Sequence, residues 1–166
     1  MNKTKRITFL GLCASVAMIL SYIEFLLPPL FSAVPGIKMG LANIIIIFIL
    51  YKFGIASAFA VSGVRLVLVT LLFGNVMTLL YSTVGALLSL VLMSIAKRIN
   101  FFSQVGVSII GGVAHNAGQI LVAMLVMETA EIGYYMIVLT VSGTIAGILI
   151  GLAGSAVLHG MRKVEI

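Results

Sequence analysis

The chain contains no aspartate and no tryptophan, has one cysteine, and carries only four carboxylate side chains against ten basic ones. Without aspartate it has none of the aspartate-rich clusters that hold magnesium on a diphosphate. A single cysteine, Cys13, excludes an internal disulfide and a cysteine-based metal centre. His115 and His159 are far apart, with no carboxylate or cysteine beside either, so a zinc site is not expected. Neither a P-loop nor a dinucleotide-binding glycine fingerprint is present, and any use of ATP has to come from another chain. No cofactor and no catalytic group are expected.

What the chain does have is apolar sequence. Of its 166 residues, 62% are hydrophobic and 8% are charged, and the mean hydropathy of +1.30 lies far outside the range of soluble domains. This composition predicts an integral membrane protein, with residues 1–166 forming a single transmembrane domain in contact with lipid throughout. The basic start followed by an apolar stretch, "MNKTKRITFLGLCASVAMIL", superficially resembles a signal peptide, but the run continues through "SYIEFLLPP" and is read as a retained first helix. A net charge of +6 is spread singly or in pairs at helix ends, which suits orientation in a bilayer rather than a nucleic-acid partner.

A crossing needs about 20 apolar residues. The chain is accordingly read as all-α with six transmembrane helices, over Ile7–Leu27, Leu41–Phe53, Ile55–Phe73, Val76–Ala96, Val105–Met127 and Tyr134–His159. The second is short unless residues before it also enter the membrane. With the N-terminus inside, Lys3, Lys5, Arg6, Lys52, Lys97, Arg98, Arg162 and Lys163 all fall on the cytoplasmic side, leaving Lys38 as the one basic residue in an outer loop. Both termini are then cytoplasmic, with Glu128 and Glu131 in the last outer loop.

Polar residues inside these runs are the functional candidates. Arg65 is expected near the middle of the third helix, where an arginine costs about 2.5–3.5 kcal/mol on insertion scales. Either it serves an anionic solute or a gate, or it pairs internally with Glu24 or a helix carbonyl. Glu24, late in the first helix, is the partner of Arg65 or Lys38, or a rim carboxylate among headgroups. The stretch "GGVAHNAGQI" places His115, Asn116 and Gln119 in the fifth helix. His115 and Gln119 share a face with Gly111, and Asn116 stands about 100° round beside Gly112. An imidazole and two amides suit a polar ligand pocket without a charge penalty; as interhelical ties each would be worth about 0.6 kcal/mol. In "VPGIKMGLAN", glycines flank Lys38 and precede Asn43, making either a lid or anion-accepting turn or a simple re-entrant connection.

Small residues supply packing surfaces. Gly143, Gly147 and Gly151 recur every four residues along the last helix, a close-packing pattern suited to a neighbouring helix. In the first helix, Gly11 with Ser15 and Cys13 with Ala17 form faces open to a partner helix.

The segments "VPGIKMGLANI", "VRLVLVTLLFG", "GALLSLVLMS" and "GGVAHNAGQI", in that order over residues 7–155, resemble the bacterial membrane family filed as "Gx transporter" or "heptaprenyl diphosphate synthase component I". The six-helix layout is also similar to the substrate-binding S components of energy-coupling factor (ECF) transporters. That likeness implies a receptor in the bacterial cytoplasmic membrane for a small, vitamin- or precursor-like solute, energised by a separate scaffold and two ATPase subunits. It places the pocket toward the outer side, and the scaffold against small residues of the first helix. The alanine pair four apart usual in that docking helix is absent, so Gly11 with Ser15 or Cys13 with Ala17 would have to serve. The family's enzyme name implies a second role, a noncatalytic accessory of heptaprenyl diphosphate synthase that handles a prenyl or quinone-related lipid.

Overall fold

A computed structural model describes residues 2–26 and 40–161. Among them run six α-helices: α1 (Lys3–Leu26), α2 (Asn43–Lys52), α3 (Ile55–Phe73), α4 (Val76–Ile99), α5 (Gln104–Val126) and α6 (Tyr135–Gly160). A short 3-10 turn, Ala130–Tyr134, leads into α6. The described residues contain no strand. Five of the helices are long and apolar enough to cross a membrane, and the chain is an all-α membrane bundle.

The expected sixth crossing is the exception. The segment read as a span over Leu41–Phe53 is a helix of ten residues, about 15 Å long at 1.5 Å per residue, half the thickness of a bilayer's hydrocarbon core. Its sequence, "NIIIIFILYK", is apolar on every side, and a helix of that kind has to be buried all round. Ile46, Ile47, Phe48, Ile49 and Leu50 are all buried, packed among Cys13, Ala58, Val61, Leu90, Val107 and Ile150. The apolar run that suggested a crossing is the central peg of the bundle.

Gly54 lets the chain reverse directly from α2 into α3. Its φ of 87° lies in the left-handed region, open to glycine and costly by about 1–2 kcal/mol for a residue with a Cβ. Gly54→Ala should therefore lose about that much stability in a detergent unfolding titration, although nothing crowds the position. Asn75 and Ser103 start α4 and α5 as N-caps, accepting hydrogen bonds from the Thr78 and Gly106 amides.

Glycine contacts bring α4, α5 and α6 together. A Cβ on Gly147 would lie 2.6 Å from the Ile109 Cα, one on Gly151 2.8 Å from the Val105 Cα, and one on Gly118 2.8 Å from the Gly85 Cα. Gly112 and Gly143 face each other backbone to backbone. The stripe read from sequence in the last helix thus lies against α5.

Basic side chains gather at one end. Arg6 donates to the Phe53 carbonyl and to Ser57 Oγ, at 3.2 and 2.8 Å. Lys52 reaches the Met161 carbonyl at 3.0 Å and Lys97 the Leu50 carbonyl at 2.6 Å. The start of α1 and the ends of α2, α4 and α6 therefore share this end, and α2 rises from it into the interior.

Candidate functional site

Where α2 begins, halfway up the bundle, three long helices contribute polar groups to one place. From α1 come Ser21 and Glu24, spaced three residues apart and so on one face; from α3 comes Arg65, and from α5 His115. All four are buried. Together with Gly40, Leu66, Val69 and Ser82 they line a cavity of about 20 Å³, room for one water molecule.

Arg65 is 7% exposed, and of its five N–H donors Nη1 makes a hydrogen bond to Ser21 Oγ at 3.2 Å. Its Nε is buried and has no hydrogen-bond partner. The Glu24 carboxylate is within electrostatic reach and accepts a hydrogen bond from the Gly40 amide just ahead of α2. The N-terminal end of α2 thus turns the positive end of its backbone dipole toward the cluster. His115 Nδ1 makes no well-formed hydrogen bond; the Gly85 backbone is the polar group beside it. One guanidinium, one carboxylate and one imidazole therefore share this cavity with the side chains of Leu66 and Val69.

The fifth-helix cluster divides between two neighbours. His115 faces α4 and the cavity, with Gly111 on the same stripe against Ser89 and Met93. Asn116 faces α6, where its Nδ2 donates to the Leu139 carbonyl at 2.8 Å and to Ser142 Oγ at 3.5 Å. Gln119 is fully buried one turn beyond His115 and is not part of the cavity lining. Asn43 is buried in the first turn of α2, against Gly40. Lys38 lies outside the described residues. On α1, Cys13 and Ala17 are buried, while Gly11 and Ser15 are exposed, with open space over Gly11. The outward small-residue face is therefore Gly11 with Ser15.

Asn116 carries a sharp expectation. Asn116→Leu should lower thermal stability by about 0.6 kcal/mol, the average for such a membrane tie, in a thermal-shift measurement. Unchanged stability would mean that these bonds do not tie α5 to α6.

Sequence reasoning missed the contribution of α4 to the site. Ser82, Gly85 and Ser89 form a small-residue stripe spaced by three and four. Ser82 lines the cavity, and a Cβ on Gly85 would meet the His115 carbonyl at 2.9 Å. The spacing was the available signal.

Fold and site together define a membrane-embedded helical bundle with a buried, charged polar centre. Residues 13–157 match the family model described as heptaprenyl diphosphate synthase component I, and the chain belongs to that family. No curated protein and no solved structure matches it.

Proposed function

We propose that the protein is a noncatalytic membrane subunit that holds a small anionic solute at the Ser21–Glu24–Arg65–His115 centre. The carrying observation is the incompletely bonded guanidinium of Arg65, buried in a low-dielectric interior beside a helix start. Buried donors without acceptors cost free energy, and an anion offering two or more oxygens would relieve that cost through charge-assisted bonds. Asn43, in the first turn of α2, borders the entrance in this reading, and Gln119 stands outside the cavity lining, one turn beyond His115. Admission of a solute requires the cavity to widen, and α1, which packs chiefly on α3 and α2, is the helix assigned that movement in this reading.

Uptake would then resemble that of S components, with the exposed Gly11–Ser15 face of α1 docking a scaffold that is served by separate ATPases. The basic end is cytoplasmic by the positive-inside rule, and both termini lie on that side. Six crossings would follow if the residues ahead of α2 complete the second one.

The family description supports a second reading, an accessory that presents a prenyl diphosphate or related lipid to a synthase. The same guanidinium suits a diphosphate. Catalysis by this chain is not part of either reading: it has no aspartate, and the described residues hold no group of three or more metal-capable side chains.

Mass spectrometry of small molecules released from gently purified protein tests the proposal. A retained water-soluble anion supports the receptor, and a retained prenyl diphosphate supports the accessory. Protein that retains neither, and binds neither when they are supplied, contradicts both.

A further inference from the structure

At the basic end, away from the site above, a groove of about 370 Å³ opens between α2, α3 and α4, lined by Leu50, Ile55, Ser94, Lys97, Arg98 and Asn100. The geometry points to a binding site there for the phosphate of an anionic phospholipid.

Three observations converge on that occupant. The first is uncompensated charge. Among the described residues, Arg6, Lys52 and Lys97 at this end donate to neutral oxygens, and exposed Arg98 has no hydrogen bond or ion pair. The described glutamates all lie elsewhere: Glu24 late in α1, Glu128 and Glu131 between α5 and the start of α6. The second is pre-organisation. Lys97 is held by the Leu50 carbonyl and stands 4.8 Å from the centre of the Tyr51 ring, so its ammonium sits at the groove wall with further N–H donors to spend. The third is depth. Phe101 is 82% and Phe102 40% exposed just past α4, where aromatic rings mark the headgroup layer. Ile55, 38% exposed, offers the groove an apolar surface against which the lipid's glycerol and upper chains can lie. Basic pockets between helices on the cytoplasmic side bind lipid phosphates in this manner.

The test is native mass spectrometry of full-length protein extracted from vesicles of equal phosphatidylglycerol and phosphatidylcholine. Wild type should retain phosphatidylglycerol at least about fivefold over phosphatidylcholine, and Arg98→Gln should lower that preference about fivefold, the worth of one basic residue near such a surface. Lys3→Gln, exposed on α1 outside the groove, should leave it unchanged. Because Lys97→Met also removes a tie to α2, Arg98→Gln is the deciding variant. Equal retention of the two lipids, or an undiminished preference in Arg98→Gln, overturns the proposal. Displacement of the retained lipid by millimolar inorganic phosphate also overturns it, since the groove would then be a site for the free anion.

Discussion

Arg65→Met should abolish retention of the bound anion while leaving the protein folded. Removing one partner of a buried charged contact costs about 2–5 kcal/mol in binding, so affinity should fall about thirtyfold or more. Stability should respond too. Among the described residues Arg65 donates to Ser21 and lies within electrostatic reach of buried Glu24, and removing one partner of a buried charge pair leaves the other uncompensated at a cost of about 3–5 kcal/mol. The melting temperature of Arg65→Met should therefore fall even without solute. Arg65→Lys keeps the charge but loses the planar fork, and should fall between wild type and Arg65→Met. Isothermal titration with the solute identified by mass spectrometry checks the series. A large drop in melting temperature with unchanged affinity would make Arg65 a structural residue.

Gly147→Leu should prevent the bundle from assembling. Backbone occupies the space a side chain would need: the Ile109 Cα at 2.6 Å, the Ser108 carbonyl at 2.9 Å and the Ile109 amide at 3.0 Å. None of these can yield as a side-chain tip could, so α5 and α6 must move apart along the whole Gly112–Gly143–Gly147–Gly151 seam. Overpacking a well-filled interior costs about 1–3 kcal/mol and more when backbone must shift; the upper end is expected here. Size-exclusion chromatography should show aggregate in place of a single symmetric peak. Gly11→Leu, where nothing lies within 4 Å, should behave as wild type in the same run.

The long helices were legible because a bilayer imposes one length scale on apolar runs. The expected third helix, Ile55–Phe73, coincides with α3, and the fourth, fifth and sixth differ from α4, α5 and α6 by one to three residues at an end. The short helix was harder, since "NIIIIFIL" is as apolar as a crossing and only its length separates a buried peg from a span. Juxtaposition was harder still. The sequence leaves Glu24 as a partner of Arg65 or of Lys38, or as a rim carboxylate; in the structure Glu24 and Arg65 line one cavity. His115 and Asn116 sit side by side in sequence, yet the 100° step between them sends one toward α4 and the other toward α6. Their separation depends on where the neighbouring helices stand, which helical periodicity does not encode. The contribution of α4 was hidden because serines and glycines at helical spacing describe packing and pocket equally well.

The most direct measurement is a high-resolution structure of the purified protein in lipid, prepared without stripping retained small molecules. Density for an anion bonded to Arg65, with Ser21 and His115 around it and Glu24 still on the Gly40 amide or displaced from it, is the predicted result. A fully satisfied Arg65, bonded only to protein groups and a single water, with the cavity still at one-water size after solute is supplied in excess, would contradict it.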